Sequence, residues 1–382
     1  MLKRIAVLLL TIILLSAAIP VAQAVTNNEL DQKRESIAQH LLTCPIPNVS
    51  SIGGEWLVIG LARSGKLSQQ TADGYYANVQ NYVRTVDSAK LHRSKSTENA
   101  RVILALTAIG KDPQSIEDFN LLQPLADFDF VKKQGVNGPI WTLLALDSFQ
   151  YEIPIDVNVK HQTTREGLIN HILDNQCADG GWDLNGETAD PDITGMAIQA
   201  LAPYTKQNDN VKTAVQKALD LMSSIQSDDG DFSTMGEVTP ESCAQMICAL
   251  SAMQIDCNTE SRFIKKENSV FDSLMRFSVE NGFAHVKGME YNQMSTEQGY
   301  YALVAYSRMK NNKASLFDMT DLISKGDVNQ SGAATISDAT LIQKYIAKAV
   351  AFSLLQQKTA DINKDGKVDI NDVTALQKQL AA

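Results

Sequence analysis

The feature that most restricts this chain is a helix apolar on nearly every side, met six times along the sequence. The clearest copy closes a unit spanning residues 163–204. Residues 163–175 open it as an amphipathic helix, with Leu168, Ile169, Ile172 and Leu173 at helical spacing. A corner follows, Gln176-Cys177-Ala178-Asp179-Gly180-Gly181-Trp182. Asp190-Pro191-Asp192-Ile193-Thr194 then starts a second helix, which runs through Met196-Ala197-Ile198-Gln199-Ala200-Leu201-Ala202. An acid ahead of the first turn with Pro inside it is a helix-start signal. A helix apolar all round and rich in Ala is one enclosed by protein.

The other copies of this inner helix fall at 54–65, 96–110, 137–149, 239–254 and 295–309. An amphipathic partner precedes each, near 29–43, 73–87, 120–131, 163–175, 211–225 and 269–277. Successive inner starts lie 42, 41, 53, 49 and 56 residues apart, which is the self-similarity of a repeat architecture. The corner recurs as Gln226-Ser227-Asp228-Asp229-Gly230-Asp231-Phe232 and as Glu280-Asn281-Gly282-Phe283, and Gly65 and Gly110 stand where helix C-caps belong. Six all-apolar helices in an open row would leave the end pair exposed, whereas a ring buries them all. The expected class is therefore all-α, with six inner helices inside six outer ones.

With 382 residues, the chain has room for one large domain and a smaller one. Lys3-Arg4, an apolar run over 5–15 and Ala22-Gln23-Ala24 read as a secretory signal peptide, 1–24, cleaved before Val25. That run is short for a membrane span, and the mature chain offers none longer. An exported, soluble protein is expected. Without Lys3 and Arg4 the chain has 32 basic and 44 acidic residues, net −12. Such a balance argues against nucleic acid as a partner and suits cation binding. The five cysteines form no Cys-x-x-Cys and are odd in number, so the fold is expected not to rely on disulfides. Cys243 and Cys248 share one predicted buried helix, where they pack as small apolar side chains.

The Gln-x-x-Asp-Gly-Gly-Trp corner and the six hairpins resemble the α/α toroid of squalene cyclases, prenyltransferase β subunits and cobalamin carriers. They resemble most of all the exported bacterial proteins with prenyltransferase-like repeats. The likeness covers residues 27–318 within an expected toroid domain of 25–320. It implies the fold; the function is left open, because this toroid hosts unrelated activities.

In such a toroid the loops before the inner helices converge at one mouth. This chain puts Glu55, Trp56, Glu98, Asn137, Trp141, Asp190, Asp192, Glu241 and Glu297 there. Together they suggest an acidic, aromatic-edged pocket for a cation, a sugar or another polar ligand. Individually, each acid also suits a helix N-terminus, where it complements free N–H groups. Cleavage of a glycoside needs two carboxyls facing across a cleft, and Asp192 with Glu241 or Glu98 is the candidate pair, with Asp190 beside them. Class II terpene cyclases resemble the chain at Asp190-Pro191-Asp192-Ile193, but Ile193 stands where their motif ends in an acid. The five histidines form no metal-ligand spacing, and neither a Gly-x-Ser-x-Gly elbow nor a phosphate loop is present.

The sharpest motif lies at the C-terminus. Asp361, Asn363, Asp365, Lys367, Asp369 and Asp372 occupy positions 1, 3, 5, 7, 9 and 12 of a loop with Gly366 at position 6. Oxygen side chains at that alternation, with the position 7 carbonyl of Lys367, wrap a hard cation in EF-hand-type loops. A first copy starts 34 residues earlier with Asp327, Asn329, Ser331, Gly332, Ala333 (through its carbonyl), Thr335 and Asp338. Helical segments Asp338–Ile346 and Asp372–Leu380 follow the loops, without a full entering helix before either. This duplicated half-EF-hand is similar to type I dockerins, over residues 326–382 of an expected module at 321–382. The resemblance implies two Ca²⁺ sites, the four-carboxylate second loop binding more tightly than the first. It also implies a cohesin partner, gripped by Ile336, Ser337, Gln343 and Lys344 in one repeat and Ile370, Asn371, Gln377 and Lys378 in the other.

The sequence thus leads to the expectation of a secreted, cellulosome-type component in a cell-surface complex. Its toroid would be ligand-binding or accessory cargo. The alternatives are a polysaccharide-degrading enzyme, an O-glycosyl hydrolase or lyase using the mouth acids on plant polysaccharide, and a terpene-cyclase-like enzyme, disfavoured by Ile193 and by export.

Overall fold

The computed structural model describes residues 25–382 apart from Met235, Gln330, Gly332 and Ala382. The expected signal peptide, 1–24, and the Gly332 turn of the first loop lie outside the described residues. Helices alternate between two layers along the chain. The outer ones are α1 (Asn27–Leu41), α3 (Gln69–Val86), α5 (Phe128–Val131), α7 (Arg165–Asp174), α9 (Asp209–Ile225) and α11 (Val270–Met275). The inner ones are α2 (Trp56–Arg63), α4 (Ser96–Ala108), α6 (Asn137–Asp147), α8 (Pro191–Leu201), α10 (Pro240–Ala252) and α12 (Gln293–Lys310). Each inner helix packs on the next, and α12 returns to α2, so the ring is closed. Every residue of α10 from Pro240 to Ser251 is buried, whereas α9 buries only the stripe Val211, Ala214, Val215, Ala218, Leu219 and Met222. The two burial patterns are the physical meaning of the two sequence patterns.

The repeated corners are clasps between hairpins. Gln176 Nε2 donates to the Gly180 carbonyl at 2.6 Å and to the Ala214 carbonyl of α9 at 2.9 Å, tying one hairpin to the next. Gln226 does the same, with the Gly230 carbonyl at 3.0 Å and the Phe263 carbonyl at 3.1 Å. Trp182 is fully buried, and its indole donates to the Ile172 carbonyl at 2.7 Å. At Gly230 (φ +80°) a Cβ would come within 2.2 Å of the Ser269 carbonyl oxygen, so no other residue fits this corner.

The third outer helix departs from the expectation of 120–131. Pro124 sits in a 3₁₀ turn, Gln123–Ala126, and Asp127 then takes an extended conformation and caps a fresh start, accepting from the N–H groups of Asp129 and Phe130. Only the four residues of α5 are α-helical. The remaining wall is extended chain, with Phe128 N–H bonded to the His161 carbonyl at 2.9 Å and Thr163 N–H to the Ala126 carbonyl at 2.8 Å. Strand structure among the described residues is confined to two short antiparallel pairs, Ser233–Thr234 with Glu237–Val238 and Ser278–Val279 with Gly282–Phe283. All five cysteines are free, and no described helix is long and apolar enough to cross a membrane.

Beyond α12 the chain becomes a strap across the C-terminal ends of the inner helices. Arg63 donates to the carbonyls of Leu316, Ser315 and Asp318 and to Asp321. Arg308 donates to the Ala314 carbonyl and also reaches Asp321. The last segment forms α13 (Ile336–Ile346), α14 (Leu354–Ala360) and α15 (Ile370–Ala381), with a small core of its own: Val328, Ala339, Ile342, Phe352, Ala360, Val373 and Leu376. The seven-residue α14 enters the second loop directly. Its Leu354 and Leu355 pack into the core of the ring, and Lys358 Nζ donates to the Phe149 carbonyl at 2.6 Å.

Candidate functional site

The C-terminal loops share one design. Asp372 is fully buried in the first turn of α15, and its carboxylate stitches the ends of the second loop together. Oδ1 accepts from the N–H of Ile362 at 2.8 Å and of Asn363 at 3.2 Å, and Oδ2 from the N–H of Asp369 at 2.9 Å. Asp361 accepts from the N–H groups of Asp365 and Gly366 at 3.1 and 2.9 Å, where Gly366 turns with φ +82°. Asp338 repeats the role of Asp372 in the first loop, taking the Asn329 N–H at 2.9 Å and the Thr335 N–H and hydroxyl at 2.8 Å. Burial pushes the Asp338 carboxyl up, but these donors outweigh it and hold it below the usual aspartate range. Ser331 N–H in turn bonds Asp327 at 2.8 Å.

Among the described residues, no group of three or more His, Cys, Asp or Glu side chains converges as a ready-made metal site. The loops instead mix carboxylates with Asn, Ser and Thr oxygens and with the carbonyls of Ala333 and Lys367. This all-oxygen set fits a hard cation such as Ca²⁺. On the flanking helices, Ile336, Ser337, Gln343, Lys344, Ile370, Asn371, Gln377 and Lys378 are all exposed. Ile336 at 62% and Ile370 at 58% are apolar side chains left in solvent at equivalent places in the two repeats.

At the other end of the ring the acids serve different ends. Asp190 is the N-cap of α8, accepting from the N–H groups of Asp192 and Ile193 at 2.9 and 3.0 Å. Glu55 is fully buried, 2.6 Å from Arg101 Nε and 3.0 Å from the Tyr75 hydroxyl, and the other arm of Arg101 holds Glu98 at 2.5 Å. Burial pushes Glu55 up against the pull of Arg101. Glu297 accepts the Gly53 N–H at 2.9 Å and the Gln293 amide at 2.6 Å, and burial raises it to about 7. These contacts join the N-terminal ends of neighbouring inner helices, which makes Glu55, Glu98 and Glu297 parts of the ring's rim.

Asp192 and Glu241 differ from the rest. Glu241 accepts from the Ser295 hydroxyl and lies 3.1 Å from His285 Nδ1. Asp192 has a buried Oδ1 without a hydrogen-bond partner, as does Asn137. Burial raises Asp192 to about 6; Ser242 opposes the shift, and the neighbouring Asp190 and Glu241 add to it. The structure therefore brings Asp192 and Glu241 together on adjacent helices, whereas Glu98 lies across α6 and is committed to Arg101. Trp56 and Trp141 form an aromatic column, 5.0 Å between ring centres, with Tyr301 beside Trp56 and Phe317 of the strap against Trp141 at 5.6 Å. Sequence reasoning missed Arg101, Ser295 and His285. Arg101 stands one helical turn from Glu98 and was legible; Ser295 and His285, 54 and 44 residues on, reach Glu241 only because the next hairpin packs against α10.

A family model described as the prenyltransferase alpha-alpha toroid domain matches residues 120–324, and one described as the dockerin type I domain matches 325–381. The chain belongs to the prenyltransferase alpha-alpha toroid family and carries a type I dockerin domain, a calcium-binding module, over 325–381. Among solved structures it is similar to ent-copalyl diphosphate synthase from Streptomyces platensis, with 19% identity, 66% of this chain and 50% of that one covered, and a TM-score of 0.46. The chain thus spans half the length of that protein. It is also similar to the type II terpene cyclase MstE from Scytonema (11% identity, 74% and 99% covered, TM-score 0.48) and to a protein from Actinoplanes (10%, 73% and 99%, 0.45). No curated protein matches it.

Proposed function

We propose that this protein is a secreted component of an extracellular, cellulosome-type complex at the cell surface. Its module from 321 onward binds two Ca²⁺ ions and docks to a scaffold cohesin, and its toroid, 25–320, is the ligand-binding or accessory cargo. The duplicated loop carries this reading: both repeats close on a carboxylate at the same position, Asp338 and Asp372, and both present an exposed Ile beside a Gln-Lys pair. Metal held by each loop would fix the helix that follows it, and with it the exposed face. Four carboxylates in the second loop against two in the first make the second site the tighter. The test is binding of the full chain to a panel of cohesins with Ca²⁺ and with EDTA. Calcium-dependent binding lost in an Ile336→Asp, Ile370→Asp double variant supports the assignment; binding that ignores both the chelator and the variant sinks it.

A second reading, catalysis at the mouth on plant polysaccharide, is favoured by one observation. Burial raises Asp192 to about 6, and its unpartnered oxygen lies beside Glu241, which fits Asp192 as the proton donor of a carboxyl pair. Activity that survives Asp192→Asn combined with Glu241→Gln removes that pair.

A further inference from the structure

We propose that the toroid has a second binding site, at the end opposite the acidic mouth, for a small neutral sugar. A cavity of about 390 Å³ lies where α6, α8 and α10 end, roofed by Ser315, Leu316 and Phe317 of the strap. That volume is within the range of small-molecule sites. The proposal is independent of how the C-terminal module docks.

One polar side chain in the cavity wall is buried and only half used. Gln199 is 5% exposed, and its amide nitrogen donates to the Gly195 carbonyl at 3.1 Å and to Gln245 Oε1 at 3.0 Å. Gln245 is itself committed, donating to the Tyr301 hydroxyl at 2.6 Å. The Gln199 oxygen, on the cavity, accepts no hydrogen bond among the described residues. That oxygen is open to the cavity rather than sealed in protein, so a ligand hydroxyl can donate to it in place of water.

Arg165 and Asp147 pair with each other in the wall, and the other two carboxylates, Asp318 and Glu152, are reached by solvent. Arg165 is the cation of the lining, and its guanidinium is held by Asp147 at 2.8 Å and by the Leu146 and Tyr151 carbonyls at 3.1 and 2.7 Å. Three carboxylates, Asp147, Glu152 and Asp318, stand in the lining against this one guanidinium, a balance that disfavours an anion. The other oxygen of Asp147 takes the Tyr204 hydroxyl at 2.6 Å, and Asp318 takes the N–H and hydroxyl of Thr320 at 3.1 and 2.6 Å. Glu152 is exposed at the edge, where water screens it. The carboxylate oxygens open to an ammonium are those of Glu152 and one of Asp318, on side chains that water reaches and screens. The groups left over are the amides of Gln150, Gln199 and Gln207 and the Ser315 hydroxyl, beside the apolar faces of Pro203 and Phe317. Uncharged donors and acceptors next to apolar surface match a sugar ring, whose hydroxyls both donate and accept and whose C–H face is apolar.

The test is titration calorimetry on the full, calcium-loaded chain with glucose, xylose, cellobiose and xylobiose, using n-butylammonium and citrate as charged controls. Saturable binding of at least one neutral sugar is expected, without binding of the controls. Gln199→Leu removes the acceptor, and Ala252→Phe fills the cavity from α10; each should weaken binding by about tenfold or more. Should Gln199→Leu fail to fold by circular dichroism, Ala252→Phe carries the test. No saturable heat from any of the four sugars, equal binding of a charged control, or affinity unchanged in Ala252→Phe overturns the proposal. Cohesin binding by the same samples reports separately on the docking module.

Discussion

The ring and the C-terminal module use carboxylates in opposite ways. In the ring, Glu55, Asp192 and Glu297 are withdrawn from water among helix ends, and burial raises all three, Asp192 to about 6 and Glu297 to about 7. In the module, main-chain N–H groups and a hydroxyl surround Asp338 and hold its charged form below the usual range. A ring with a large apolar core can carry buried acids that resist ionisation. The module has a core of only seven side chains, and it surrounds its buried Asp338 with donors that favour the charged form instead. Stability in the first region comes from packing, and in the second it is expected to come from a bound metal.

The largest expected effect separates the two regions outright. EDTA should abolish cohesin binding and expose the segment from 325 onward to proteolysis, while the helical signal of the ring persists; retention of the module's protection would erase the contrast. Next, Trp182→Ala should cost the ring about 3–5 kcal/mol in denaturant unfolding, with calcium affinity unchanged. A loss under about 1 kcal/mol would mean that the corner is not part of the core.

A third test sharpens the contrast in carboxylates. Glu297 has a folded value above its ordinary 4.5, so between about pH 4.5 and 7 the unfolded chain ionises first, and stability falls as pH rises. Glu297→Gln should remove a slope on the order of 2–3 kcal/mol across that window, read from denaturation midpoints at several pH values. The smallest effect probes the seam. All three tryptophans, Trp56, Trp141 and Trp182, lie in the ring, so their fluorescence reports on it alone. Calcium should raise that melting midpoint through α14, and Leu355→Asp should uncouple it at a cost of about 1.5–3 kcal/mol. A calcium shift that persists in the variant would break the seam hypothesis.

Much of the ring was legible because its inner helices need a closed environment and its corners need Gly and Trp. The runs around Val102–Leu106 and Met246–Leu250 forced burial, and the Gln176 and Gln226 clasps sit where the repeats meet. The third outer helix was misjudged because an apolar spacing over 120–131 outweighed Pro124 and the capping power of Asp127. The sequence put the mouth acids at the starts of the inner helices and could not tell which were spent. That distinction rests on Arg101, Gly53, Ser295 and His285, supplied by other hairpins. The cavity beneath the strap left no local signal, since 315–320 reads as a plain connector.

The sequence by itself determined the number of hairpins, the closed ring and the duplicated C-terminal loop, because periodicity and oxygen spacing are properties of short segments. Only the tertiary structure decided that Asp192 and Glu241 share a corner, that the strap roofs a cavity over Gln199, and that α14 seats the module on the ring. Each of these depends on groups more than forty residues apart, and long-range contacts are fixed by how whole helices pack rather than by any stretch alone.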